Sequence, residues 1–167
     1  MKYFLLLVLA FFIGNEAYSQ RIDYKIAAGG VAALPIGQRG SRADYGVGAE
    51  LMFMKELQKG YEVGGSVGYT RYIVDQDLED EGLFGDRELL PIALKGARSI
   101  GELGFGLALD LGYAISLIDG NDGGFLYEPK IYLETSRFIT SLGYRGITQS
   151  GENLHAIQLG FAVKIIQ

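Results

Sequence analysis

Four kinds of residue in this chain could do chemistry. The first is a set of single charges, Glu50, Glu62, Lys95, Asp110, Glu128, Lys130, Glu134, Arg145 and Lys164, each embedded in an apolar or glycine-rich stretch. Brought together, such charges make either a polar path or binding site, or a packed set of ion pairs. The second is the acidic stretch 74–86, with Asp75, Asp77, Glu79, Asp80, Glu81 and Asp86. Carboxylates at Asp77, Glu79, Asp80 and Glu81 are the weak candidates for a hard cation such as Ca²⁺. Asp119-Gly120-Asn121-Asp122-Gly123 offers a similar set. Neither run has the twelve-residue spacing or the closing Glu of a calcium loop, so solvated loops are expected and no metal site is assigned. The third is His155, the single histidine. Nucleophilic catalysis would require a serine and an acid beside it. Ala156 and Ile157 follow instead, and Ser150 stands at the wrong spacing, so no catalytic residue is assigned. The fourth is Arg71, which shares the parity of the apolar Tyr69. It is expected to contact lipid phosphates or to snorkel to an interface. No cofactor site is expected, because the glycines alternate along strands and do not sit between a strand and a helix.

The elements that position these residues are strands. From 103 to 117 every odd residue is large and apolar (Leu103, Phe105, Leu107, Leu109, Leu111, Tyr113, Ile115, Leu117). Every even one is small or polar (Gly104, Gly106, Ala108, Asp110, Gly112, Ala114, Ser116). A chain that is 49% apolar gives such a run by chance roughly once in 300 starts. A period of two marks a strand with two unlike faces. A strand facing water would carry Lys, Glu and Thr on its polar face. Glycine and alanine around one carboxylate describe a confined face, as inside a small barrel in lipid. Seven further strands are predicted at 24–34, 44–54, 61–73, 87–98, 125–136, 138–147 and 154–166, with the nine charges facing inward. The parity carries energy, since a slip of one residue would turn Asp110 and Lys130 into lipid. A Lys or Arg at mid-bilayer costs about 2–4 kcal/mol.

The N-terminus reads as a secretory signal. Lys2 supplies the positive start, residues 3–13 (YFLLLVLAFFI) the apolar core, and Ala17-Tyr18-Ser19 the small-x-small cleavage pattern. Residues 1–19 are expected to be removed, leaving 20–167 as one domain. Eleven apolar residues are too few for a helical span of about 20. Loss of Lys2 and Glu16 leaves the net charge at -5, which argues against nucleic acid as a partner. There is no cysteine, so disulfides and thiolate metal sites are excluded.

Eight antiparallel strands can close into a barrel with no free edge, as lipid demands. Both termini then lie at one end, expected to be periplasmic. The connections 35–43, 74–86, 118–124 and 148–153 face outward, and on average they exceed 55–60, 99–101 and 136–137. Fifteen residues at about 3.3 Å, tilted roughly 45°, climb about 35 Å, enough for an apolar band of about 25 Å. Pro91 and Pro129 fall inside strands, where each removes a ladder donor, so bulges or shifted strand starts are expected.

The Ser19-Gln20 junction, the early strand YKIAAGG, the strand ELLPIALKG (88–96) and the final LGFAVKI (159–165) resemble the small outer-membrane β-barrel proteins described as PorT-like. More distantly, they resemble the OmpA-like and OmpX-like eight-stranded barrels. The last strand ends Ile165-Ile166-Gln167 rather than on an aromatic residue. The resemblance implies an all-β, eight-stranded antiparallel transmembrane barrel in the outer membrane of a Gram-negative-type envelope. It also implies outer-membrane lipid and the barrel-assembly machinery as partners. It implies no single activity.

The expected function is that of a non-enzymatic, monomeric barrel. Eight strands enclose only enough room for side chains, so the charges are expected to plug the lumen, and a porin would need about 16 strands. Outer loops would serve surface interaction or envelope integrity. One alternative is a lipid-modifying enzyme at the outer rim built on His155, although the His-x-Ser pair of lipid A deacylases is missing. The other is a soluble, lipocalin-like carrier with the apolar face turned inward. Tyr45, Tyr61, Tyr69, Tyr113 and Tyr127 near strand ends favour a membrane interface over that carrier.

Overall fold

A computed structural model describes residues 24–36, 43–58, 60–74, 87–101, 103–118, 123–148 and 153–166. Eight strands follow in order: β1 (Tyr24–Ile36), β2 (Ala43–Gln58), β3 (Tyr61–Val74), β4 (Arg87–Ile100), β5 (Phe105–Ser116), β6 (Gly124–Glu134), β7 (Phe138–Thr148) and β8 (Asn153–Ile166). Each pairs antiparallel with the next, and β1 pairs with β8, so the sheet closes on itself. All eight expected strands are present. The signal segment 1–19, the acidic Asp77, Glu79, Asp80 and Glu81, and Ser150 lie outside the described residues.

Polarity follows the predicted parity. On β5 the odd residues Phe105 to Ile115 are exposed, while Gly106, Asp110 and Ala114 are buried. Exposed Leu51, Val67, Leu94, Ile131, Leu142 and Leu159 extend the same belt around the other strands. Buried side chains include Lys95, Asp110, Glu128, Lys130 and Arg145. The molecule is thus apolar outside and ionic within, the reverse of a water-soluble protein.

The boundaries depart from expectation at β5 and β6. Leu103 and Gly104 belong to the β4–β5 turn, because Gly104 adopts φ +77°, a left-handed conformation that suits glycine. Its carbonyl accepts from Glu134 N at 2.8 Å. β6 stops at Glu134 because Thr135 folds back, with its N–H on the Phe138 carbonyl at 2.8 Å. β2 runs farther than predicted, to Gln58.

The prolines correct a second expectation. Neither carries a bulge; of the shifted starts, β4 shows none and begins at Arg87, while β6 begins one residue early, at Gly124. The β3–β4 ladder passes from Val67↔Ile92 to Thr70↔Leu89 in unchanged register across Pro91. The β6–β7 ladder does the same from Tyr127↔Gly146 to Lys130↔Gly143 across Pro129. Successive N–H groups of a strand point to opposite neighbours, so a proline weakens one ladder only. The other stays continuous, through Pro91↔Ala114 and Leu109↔Pro129. Register shifts fall instead between Ile26 and Ala27, and near the two ends of β2.

Inward glycines let adjacent strands approach. A Cβ at Gly112 would strike the backbone of Ile92 and Ala93, whereas one at the outward Gly96 would meet nothing within 4 Å. Gly112→Val is therefore expected to lower stability by about 1–3 kcal/mol or to block closure, and Gly96→Ala to be neutral. Comparing the fraction of each variant that runs as the compact, unboiled gel band measures the difference. Equal folding would mean the close strand approach at Gly112 is not needed.

Candidate functional site

Three layers fill the lumen. At its middle, register alone aligns Lys95, Asp110 and Glu128 across β4, β5 and β6. Lys95 Nζ lies 2.8 Å from Asp110 Oδ2 and 3.3 Å from Glu50 Oε1. Lys130 Nζ sits 2.8 Å from the same Asp110 oxygen, 3.1 Å from Glu128 Oε1 and 3.8 Å from Glu50 Oε2. Arg145 donates through Nε and holds Nη2 near Glu128 Oε2, both at 2.9 Å, and donates through Nη1 to Thr70 Oγ1 at 3.1 Å. Three carboxylates thus face three cations, and the cluster is neutral. A cavity of about 10 Å³ among Glu50, Ser66, Asp110 and Arg145 is about the size of one water.

Toward the chain termini lies a second chain of pairs. Lys25 Nζ bridges Glu62 at 2.8 Å and Glu134 at 2.6 Å, and Lys164 Nζ meets Glu134 at 3.0 Å. A cavity of about 140 Å³ opens among Lys25, Glu56, Glu62, Glu134 and Lys164. Ala27, Tyr132, Ile139 and Ala162 form an apolar cluster near this end of the lumen. Lys25 is absent from the sequence-based set, because β1 alternates weakly and its inward face is small. The signal was present, since Lys25 shares parity with Ala27 and Ala33, both buried.

The opposite end of the lumen is apolar. Tyr72, Leu89, Leu126, Ile147 and Leu154 pack there with Ala33, Ala93, Ala114 and Ala156. Sequence reasoning missed this plug. Leu126 stands between Phe125 and Tyr127, which hides its opposite orientation in an unbroken apolar run. All nine inward charges occupy one of the two ionic layers, and the plug closes the polar path on this side.

On the exterior at the same end, the His155 ring stacks on Tyr144 at 5.7 Å, with Tyr144 Oη 2.8 Å from His155 Nδ1. Tyr127 extends the row, 6.1 Å from Tyr144. Arg71 is half exposed, with Nε 3.9 Å from Glu88 Oε1. Among the described residues there is no group of three or more His, Asp or Glu able to hold a metal.

A closed eight-stranded antiparallel barrel with an apolar belt and a filled ionic lumen has the architecture of the small outer-membrane barrels. No family model matches the sequence, and no curated protein matches it. Solved structures do. Ail, the attachment invasion locus protein of Yersinia pestis, superposes with a TM-score of 0.59 at 15% identity, over 87% of this chain and 100% of that one. Neisserial surface protein A gives 0.52 at 16% identity, over 86% and 97%. The N-terminal barrel domain of Pseudomonas aeruginosa OprF gives 0.51 at 11%, over 87% and 100%. At these identities the likeness is one of fold.

The central ion cluster generates a stability prediction. Arg145→Met leaves Glu128 short of a cation in a buried site and is expected to cost about 3–5 kcal/mol. Arg145→Met with Glu128→Leu restores neutrality and should recover most of that loss. Urea unfolding of each variant in lipid vesicles measures both. A double variant no better than the single one would show that packing, not charge balance, decides stability here.

Proposed function

We propose that this protein is a non-enzymatic barrel of a Gram-negative-type outer membrane, exported through a signal cleaved after residue 19. Its exterior anchors it, its lumen is a plugged scaffold, and its outer connections serve surface contacts or envelope integrity. Barrel-assembly machinery would insert it, and it would act as a monomer. One observation carries this reading: large apolar side chains cover the outside while the ion pairs lie within. The connections 37–42, 75–86, 117–123 and 149–152 are on average longer than those at the terminus end, which suits an outward-facing recognition surface. The Ail barrel also has a structure in complex with the heparin analogue sucrose octasulfate. The acidic stretch 74–86 of this chain selects against such a polyanion and suits a cationic protein surface or bridging divalent ions. An inward-facing carrier for apolar ligands is disfavoured, because ion pairs and a packed plug take up the lumen space.

In cell fractionation the chain should sediment with outer membranes and run faster unheated than boiled. Leu94, 77% exposed near the middle of β4, supplies a sharper test. Leu94→Arg is expected to lower stability in bilayers by about 2–4 kcal/mol. Recovery of soluble, folded protein without detergent, or an indifferent Leu94→Arg, would overturn the membrane reading. For the non-enzymatic part, His155→Ala should leave the lipid A of expressing cells unchanged, as read by mass spectrometry. A change dependent on His155 would favour a lipid-modifying enzyme instead.

A further inference from the structure

The charges at the terminus end of the lumen do not balance. Glu56, Glu62 and Glu134 line the cavity of about 140 Å³ there, together with only two cations, Lys25 and Lys164. Three acids against two bases leave one negative charge over, whereas the central cluster is neutral. The two lysines are committed to one wall. Lys25 is shared between Glu62 and Glu134, and Lys164 also meets Glu134. Glu56 stands directly opposite Glu62 in the β2–β3 ladder. Like charges so placed repel. Glu56 Oε1 accepts from Gly60 N at 3.2 Å, and Glu62 Oε1 accepts from Lys25 Nζ at 2.8 Å. No cation among the described residues pairs with Glu56. Each of these two carboxylates retains its Oε2 as an acceptor.

The rest of the cavity is apolar or closed. Met54, 2% exposed, supplies a wall on the same strand as Glu56. The inner end is blocked. Along β6 the inward Tyr132 stands between Glu134 of this cavity and Lys130 of the central cluster, and it packs with Ala27, Ile139 and Ala162. The apolar plug closes the far end of the lumen. A solute therefore enters and leaves this cavity at the terminus end and does not cross the barrel.

We infer that this cavity is a binding site for a small primary alkylammonium, whose charge lies between Glu56 and Glu62 and whose alkyl stem lies along Met54. The inference goes beyond the surface-contact reading and gives the lumen a ligand. The uncompensated carboxylate selects a cation, since an anion would face three acids. Coordination chemistry selects the kind of cation. A calcium ion takes six to eight oxygens, and no group of three acids able to hold a metal exists among the described residues. An ammonium has three donors, which two carboxylate oxygens and a water satisfy. Space is sufficient, because one water needs only about 10–15 Å³ of the same measure. The buried Met54 side chain then gives a short alkyl stem an apolar surface to cover.

The test titrates butylamine into the full mature chain, folded in detergent micelles at low salt, and reads binding by calorimetry. The wild type should bind butylamine saturably and butyrate not at all. Glu56→Gln keeps an acceptor for the Gly60 N–H and brings the cavity to neutrality. It should weaken binding about ten-fold while keeping the compact unboiled gel band. Lys164→Gln leaves a second carboxylate charge uncompensated and should tighten binding several-fold in whatever fraction keeps that band. A wild type that does not bind the amine, a Glu56→Gln variant of unchanged affinity, weaker binding by folded Lys164→Gln, or magnesium chloride bound as well as the amine overturns the inference. Binding that emerges only after Arg21→Ala assigns the cavity to a cation of the chain itself and overturns it as well. Each of these outcomes leaves the membrane reading standing, because fractionation and the gel shift test that separately.

Discussion

The narrowness of an eight-stranded barrel governs the rest of this structure. Eight strands enclose a lumen only as wide as the side chains that line it. Every inward position must therefore hold a small residue or a side chain whose partner stands opposite. Gly112 and Gly64 leave no room for a Cβ against the backbone of the neighbouring strand, and Lys95, Lys130 and Arg145 fit because Asp110, Glu50 and Glu128 meet them. The same closure gives each strand two hydrogen-bonded neighbours, so no backbone edge is left for a bilayer to leave unsatisfied.

Given that constraint, the charges read as architecture. A single buried charge in so narrow a space would be prohibitive, whereas a neutral set of three acids and three bases with short contacts is tolerable. The cluster also secures register. A slip of one residue in any contributing strand would expose a charge to lipid and leave its partner alone in the lumen. Such a device specifies one pairing over its neighbours even where it adds little net stability. The apolar plug formed by Tyr72, Leu89, Leu126, Ile147 and Leu154 completes the seal at one end, while the other keeps a polar cavity. The barrel is thus asymmetric along its axis.

Several features were legible in the residues alone. The alternation in β5 specifies both faces, and it predicts the burial of Asp110 and the exposure of Leu109 and Leu111. Strand number, the antiparallel order and the inward placement of nine charges follow from the same period of two. Lys25 escaped because β1 has small residues on both faces, which erases the contrast the period relies on. The plug escaped for the opposite reason: Leu126 and Ile147 have apolar neighbours in sequence, so their orientation leaves no trace in hydropathy. The ends of β5 and β6 were misplaced because a left-handed Gly104 and the Thr135 fold-back are local turn events, invisible to an alternation pattern.

Sequence by itself determined which side of each strand meets lipid, since that depends only on alternate residues of one chain segment. It could not say which charge meets which. Lys130 reaches Glu50, and Arg145 reaches Thr70, because the closed sheet brings strands far apart in the chain to one height across the lumen. Tertiary structure likewise decided that Lys55 and Arg98 stand over Tyr24 and Tyr61, and that Leu126 and Ile147 fill the lumen. Periodicity is a local property, whereas register around a closed barrel is a property of all eight strands at once.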